Sequence, residues 1–305
     1  MSYRDFSELL NSAREMSKTR LSVAAAQDKH VLEAVKQAME EGLQLEFILV
    51  GDQGEIEKLL QELSIQDHSA ISIIHASDDK QAAELAVKEV SQRNADYLMK
   101  GLVSTKDFLK QVLHQDYGLR TGRILSHVGA FEISTYPRVF FMTDGGINPE
   151  PSLENKQEIL QNAVDFVKAL GIHEPKAAVL GAVENVNTQM EATLDGAVLA
   201  KMQDRGQITG AQVDGPLALD NAIDEQAARH KGIDSPVAGK ADILLVPDIE
   251  SGNLLGKSIT FLGQGTMAGI VVGAKVPVVL TSRADSVRSK ITSMALGALA
   301  TGGQS

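Results

Sequence analysis

Short apolar runs rich in β-branched residues recur at 21–26, 45–50, 71–75 and 97–99, and each reads as a buried strand. Between them apolar positions fall at helical spacing near 28–42, 53–64 and 79–93. In the last of these, Ala82, Ala83, Ala86, Val87 and Val90 form one stripe. Strand and helix alternating at this pitch predict βαβ units and a parallel sheet. After a strand at 138–142 the pattern breaks in a Gly/Pro-rich loop running from Asp144 to Pro151. A helix is then expected to start at a Ser152 cap and reach Leu170, with Ile159, Leu160, Ala163, Val164 and Val167 inward. A second series follows, with strands at 176–181, 208–214 and 242–247 and helices at 188–205, 219–230 and 253–262. The chain closes on a strand at 276–280 and a helical pattern through Ile291, Met294, Ala295, Ala298 and Leu299.

Two α/β lobes are therefore expected, joined near residue 138, with a ligand cleft between them. One comprises 1–137 with 270–305, the other 138–269. A length of 305 residues agrees, since it exceeds the size at which one core keeps growing.

Composition removes several function classes. A net charge of −11 argues against nucleic acid or an anionic membrane as the main partner, though a few local Arg and Lys residues suffice for a small anion. With no Trp, 4 Tyr and 8 Phe there is no aromatic-basic surface for stacking bases. Zero Cys excludes disulfides, thiolate metal sites and a cysteine nucleophile. Seven scattered His residues (30, 68, 75, 114, 127, 173, 230) show no metal-ligand spacing, so no metal is expected. No apolar run approaches the ~18 residues that span a bilayer. The start Met1-Ser2-Tyr3-Arg4-Asp5-Phe6 has no apolar signal core, so a cytoplasmic location is expected.

Two glycine groups imitate nucleotide loops and fail. Gly252-Asn253-Leu254-Leu255-Gly256-Lys257-Ser258 has three residues between its glycines where a P-loop has four. Gly263-Gln264-Gly265-Thr266-Met267-Ala268-Gly269 has one residue too many for a dinucleotide fingerprint, and no clear strand precedes it. Both groups read as helix stops, with Lys257 left as a candidate cation for substrate. No G-x-S-x-G elbow is present.

The chemistry concentrates at strand ends. Thr281-Ser282-Arg283-Ala284-Asp285-Ser286 presents a hydroxyl, a guanidinium and a carboxylate between a strand and a helix, where open α/β sheets bind ligands. The plainer alternative makes Asp285 or Ser286 an N-cap, Ser282 a turn residue and Arg283 a surface charge. Lys100 precedes a loop in which Ser104 or Thr105 caps a helix or binds phosphate. Arg120 and Arg123 add two cations beside Ser126 and His127. Asp214-Gly215-Pro216-Leu217 reads as a turn opening a helix, and Asn253 as a ligand or a cap.

Together these segments resemble the phosphate acetyl/butyryltransferase family. The matching pieces are Asp214-Gly215-Pro216-Leu217, Ser235-Pro236-Val237-Ala238-Gly239, the Pro247 to Asn253 segment with its Gly252-Asn253, and Ser282-Arg283, in order between about 96 and 301. Within the family the chain is most like the butyryltransferase branch. The acetyltransferase branch carries a proposed basic aspartate seven residues beyond the serine; here that position is Ser289.

The resemblance implies a two-lobed, three-layer α/β/α fold of the isocitrate/isopropylmalate dehydrogenase type, with mostly parallel sheets. It implies reversible transfer of a short-chain acyl group, butyryl before acetyl, between coenzyme A and inorganic phosphate, through an acyl phosphate. No tightly bound cofactor is expected, coenzyme A being substrate, and a homodimer or larger homo-oligomer is implied. Arg283 suits the phosphoryl oxygens by its rigid donor fork, and Ser282 with a helix-start N–H suits the carbonyl oxygen. The thiol, with a pKa of about 8.5, needs a base. Asp285 is the first choice and His127 the rival. Lys100, Thr105, Arg120, Arg123, Ser126, Asp214, Asn253 and Lys257 are the expected substrate contacts. A decarboxylating dehydrogenase is disfavoured by the lack of a carboxylate cluster and nucleotide loop, and a non-catalytic acyl-CoA sensor by the retention of Ser282 and Arg283.

Overall fold

The computed structural model describes residues 3–65, 69–282 and 285–302, and the chain divides into two compact units. A terminal unit comprises Phe6–Arg123 and Ala268–Ser305; a middle unit comprises Met1–Asp5 and Ile124–Met267.

The terminal unit begins with α1 (Phe6–Arg14), then β1 (Thr19–Ala24), α2 (Lys29–Glu40), β2 (Leu45–Gly51), α3 (Gln53–Glu62), β3 (Ile71–His75), α4 (Asp79–Ser91), β4 (Tyr97–Lys100) and α5 (Thr105–Val112). Helices α2 to α5 each start behind a side-chain cap: Asp28, Asp52, Asp78 and Ser104 accept the N–H groups of Val31, Glu55, Gln81 and Asp107 at 2.9–3.1 Å. Each such cap contributes about 1 kcal/mol. The expected stripe of α4, Ala82 through Val90, is its buried face.

The middle unit continues with β5 (Ser126–Glu132), β6 (Phe140–Thr143), α6 (Leu153–Ala169), β7 (Lys176–Leu180), α7 (Glu191–Asp204), β8 (Gln212–Leu217), α8 (Leu219–Ile223), α9 (Glu225–His230), β9 (Ile243–Leu245) and α10 (Ile249–Lys257), which widens into a π turn at Ser258–Leu262. The chain then returns to the terminal unit through β10 (Thr266–Val272), β11 (Val278–Val279) and α11 (Val287–Gly302).

Strand order in the terminal unit is β3-β2-β1-β4-β11-β10, parallel except for the antiparallel β10–β11 pair. In the middle unit it is β5-β6-β9-β7-β8, parallel except for β5 against β6. Parallel neighbours put their carboxyl ends at one edge, which is where ligand loops collect. The middle core gathers Phe131, Phe140, Met142, Leu180, Leu217, Leu244 and Val246 from β5, β6, β7, β8 and the β9 segment.

α11 is buried from Ser289 to Ala300, including its polar positions, and packs against α1 and α2. A helix covered all round lies inside the fold. Gly297 lets it settle on the Tyr97 ring, since a Cβ there would stand 2.5 Å from Tyr97 Cε2. The Tyr97 hydroxyl donates to the Met294 carbonyl at 3.0 Å.

The structure corrects several local expectations. The first junction between units lies at 123/124, whereas 137/138 was expected. β5 precedes residue 137 but is hydrogen-bonded to β6 (Gly129 opposite Met142), so it groups with the middle unit. Asp214 to Leu217 form part of β8, not a turn. β8 ends the strand order, and an edge strand tolerates Pro216, which has no N–H to donate. Gly252 and Gly256 lie inside α10 and Gly269 inside β10, so only Gly263, after the π turn, stops a helix.

Candidate active site

In the terminal unit β1, β4 and β11 end together. Leaving β4, the Gly101 N–H donates to the Ala24 carbonyl and the Leu102 N–H to that of Ala25, both at 2.8 Å. A Cβ at 101 would lie 2.3 Å from the Ala25 oxygen, so only glycine fits there. Lys100 is 7% exposed, and its ammonium donates to the carbonyls of Gly101 (3.0 Å) and Val103 (3.1 Å), closing its own loop. Beyond β11, the Ser282 N–H donates to Asp285 Oδ2 at 2.7 Å and the Asp285 N–H returns to the Ser282 carbonyl at 3.2 Å. Ser286, not Asp285, caps α11 by accepting the Ser289 N–H at 3.1 Å. Lys290, one turn into α11, donates to the carbonyls of Asp285 (2.6 Å) and Ser282 (3.3 Å). This edge thus carries two enclosed ammonium groups in a strongly acidic chain.

In the middle unit the carboxyl ends of β6, β9 and β7 share an edge with the start of antiparallel β5. Asp144, 2% exposed, gathers the loop after β6. Its carboxylate accepts the N–H groups of Gly146 (2.9 Å), Ile147 (3.0 Å) and Asn148 (3.3 Å) and the Asn148 side-chain amide at 2.6 Å. Asn148 also donates to the Leu125 carbonyl at 2.8 Å, tying this loop to the entry of β5. Gly145 and Gly252 let the loop meet α10 backbone to backbone: a Cβ at 252 would stand 2.7 Å from Gly145 Cα. His127 flanks the loop, its Cγ 3.2 Å from where a Cβ at 146 would lie.

Behind this edge, Lys156 of α6 and Asp195 of α7 form an enclosed ion pair at 2.6 Å. Nearer solvent, Lys231 bonds Glu184 (3.0 Å) and Asp220 (3.1 Å), and Asn221 adds a bond to Glu184 at 3.1 Å. The Lys231 hydrogen bond holds both carboxyls below their usual range, and those carboxylates in turn raise Lys231.

The sequence candidates are thus spread over both units. Ser282 and Asp285 are hydrogen-bonded to one another, while Arg283, with Ala284 and His68, lies outside the described residues. Lys100 sits on β4, one residue beyond the pair that aligns Met99 with Val279. Thr105 is the first residue of α5, exposed, while Ser104 is its cap. Arg120 and Arg123 are exposed in the loop after α5, which the Lys275 N–H ties to Leu119 at 2.8 Å. Ser126 is wholly buried and accepts from Asn162 of α6 at 3.2 Å, a bond that anchors β5. Asp214 lies within β8 and accepts the N–H of Gly215 at 2.8 Å. Asn253 and Lys257 are exposed on α10, whose cap is Asp248, so Asn253 is not a cap.

Sequence reasoning passed over Asp144, Asn148 and Lys290. Asp-Gly-Gly-x-Asn directly after a strand was a legible signal for the first two. Lys290 sits among apolar positions of a helical pattern and gave none. Among the described residues no group of three or more His, Asp or Glu is placed to hold a metal ion. Among the described residues no helix is long and apolar enough to cross a membrane.

Two α/β units with hydroxyl, carboxylate and ammonium groups gathered at strand ends are an arrangement suited to a small anionic ligand. The family Phosphate acetyl/butaryl transferase matches residues 80–298. A phosphate butyryltransferase from Clostridium beijerinckii is 47% identical over 296 residues, 97% of each chain. A phosphate acetyltransferase from Thermotoga maritima is 45% identical over 96% of this chain and 98% of its own. The crystal structure of a branched-chain phosphotransacylase from Enterococcus faecalis superposes with a TM-score of 0.83 at 35% identity, covering 93% of this chain and 99% of that one. The chain belongs to the phosphate acetyl/butyryl transferase family, and it is an acyltransferase working between coenzyme A and inorganic phosphate.

Proposed function

We propose that the chain catalyses butanoyl-CoA + phosphate = butanoyl phosphate + CoA in the cytoplasm, as a homodimer or larger homo-oligomer and without a resident cofactor. The likeness to a phosphate butyryltransferase over 97% of both chains carries the choice of acyl group. An acetyltransferase is 45% identical, so rates on acetyl-, butyryl- and branched-chain acyl-CoA decide it. Acetyl-CoA turned over faster than butyryl-CoA refutes the butyryl assignment.

In the acyl-phosphate direction the coenzyme A thiol loses its proton to a base and its sulfur attacks the carbonyl carbon. A C–S bond forms, the C–O bond to phosphorus breaks, and phosphate leaves. Without cysteine, direct attack needs the fewest steps; labelled acyl group retained on denatured enzyme after incubation with acyl phosphate alone would overturn it. Arg283 compensates the phosphoryl oxygens and Ser282 donates to the carbonyl oxygen. Lys100, Thr105, Arg120, Arg123, Asn253 and Lys257 are the candidate substrate contacts, with Asp214 and Ser126 supporting them from β8 and β5. Asp285 is taken as the base, because its carboxylate, accepting the Ser282 N–H at 2.7 Å, lies beside the proposed acyl-binding serine. Asp285→Asn then loses kcat by about 10²–10⁴-fold while His127→Asn keeps it. The reverse result transfers the role to His127.

A further inference from the structure

We propose that Lys290 is a positioning residue for Ser282 and Asp285, and that acyl transfer depends on its charge. The inference rests on the assignment of Ser282 to the active site.

Lys290 is 2% exposed, yet it forms no ion pair among the described residues. Elsewhere in the chain an equally enclosed ammonium, Lys156, has a carboxylate at 2.6 Å. Enclosing an ammonium without an anion is costly, and an apolar side chain would fill the same space in α11 at no such cost. Its partners are two main-chain carbonyls, Asp285 at 2.6 Å and Ser282 at 3.3 Å. The Ser282 carbonyl already accepts the Asp285 N–H, and the Ser282 N–H is held by the Asp285 carboxylate. Among the described residues, four hydrogen bonds therefore link Ser282, Asp285 and Lys290, two of them from one cation rooted in a buried helix. The Lys290 ammonium also sets a fixed positive potential beside Ser282, where a phosphoryl or carbonyl oxygen gains negative charge. Such a charge acts without reorganising during the reaction. Lys100 repeats the arrangement on the neighbouring strand, its ammonium bonded to the carbonyls of Gly101 and Val103.

The test compares Lys290→Met, Lys290→Gln and Lys290→Ala with the wild type in phosphate-dependent release of coenzyme A, corrected for the folded fraction by circular dichroism. Misplacement of a reacting group by about 1 Å costs on the order of 10²-fold, so kcat for Lys290→Met is expected to fall by about that factor. KM values for phosphate and acyl-CoA move little, and Lys290→Gln, which keeps a donor without the charge, lies between. Propylammonium added to Lys290→Ala restores kcat saturably, which a purely structural role would not allow. Unchanged kcat in folded Lys290→Met, a change confined to KM, or activity that merely tracks folded protein with no rescue each overturns the proposal. Ser282→Ala separates the two layers: if it is as active as wild type, the site assignment itself is wrong. If Ser282→Ala is impaired and the Lys290 variants are not, only the role of Lys290 is lost.

Discussion

Asp195→Asn removes the charge facing Lys156 without changing the size of the side chain. The pair is short, at 2.6 Å, and its side chains are only 8% and 10% exposed. Water therefore cannot replace the lost carboxylate, and the ammonium is left buried against a neutral amide. Breaking an enclosed pair from one side costs about 3–5 kcal/mol, and the remaining amide oxygen places this change at the low end, about 3 kcal/mol. The exposed pair Lys18–Glu46, at 3.4 Å with side chains 67% and 41% exposed, serves as control, and Glu46→Gln should cost no more than about 1 kcal/mol. Joint replacement, Lys156→Met with Asp195→Leu, removes both charges and should recover most of the loss, since apolar substitutes for buried pairs are often neutral or stabilising by about 1–4 kcal/mol. Urea unfolding at pH 7 followed by circular dichroism measures the three variants against the wild type, with m-values checked for constancy. A loss below about 1 kcal/mol for Asp195→Asn, or a double variant no more stable than Asp195→Asn, would refute the reasoning.

Arg283→Ala should cost about 2 kcal/mol or more of transition-state stabilisation, measured from kcat/KM; an unchanged value removes Arg283 from the site. Gly196→Ala should lose about 1–3 kcal/mol in urea unfolding, because its Cβ would stand 2.9 Å from the backbone of Pro216 where α7 crosses β8. Alkaline stability should respond to Tyr97, whose hydroxyl is pushed well above its usual range, chiefly by burial. The folded pKa is the higher one, so this contribution is complete below about pH 10 and is lost as pH rises, by about 1.4 kcal/mol per pH unit. Tyr97→Phe should remove that part of the slope, and an unaltered slope above pH 10 disproves the assignment.

Much of the fold was legible because period 2 and period 3.6 are strong signals in long segments. α4 and α6 appear with their expected inward faces. The missed elements had weak patterns. α1 is nine residues long, and β5 and β10 each contain a glycine that blurs a strand reading. Asp214-Gly215-Pro216 was misread because Gly-Pro signals a turn locally, while the sheet edge and the close crossing of α7 at Gly196 are tertiary facts. At the site, polar residues after strands were visible as candidates. What each one bonds was not. Ser126 reads like a ligand and is a buried anchor, whereas Lys290, silent within an apolar helical pattern, is enclosed.

The terminal unit takes strands from both ends of the chain, and this bears on the order in which the protein is made. β11 lies between β4 and β10, so until residues near 280 leave the ribosome β4 is an unprotected sheet edge. The same delay leaves α1 and α2 without α11, the buried helix they pack on. The middle unit, continuous from Ile124 to Met267 apart from five leading residues, emerges whole in the meantime. Domains that are complete early in synthesis fold first, so the middle unit forms while the earlier-made half of its neighbour waits with an edge open to wrong pairing. A nascent chain arrested between residues 267 and 278 is the species most exposed to aggregation.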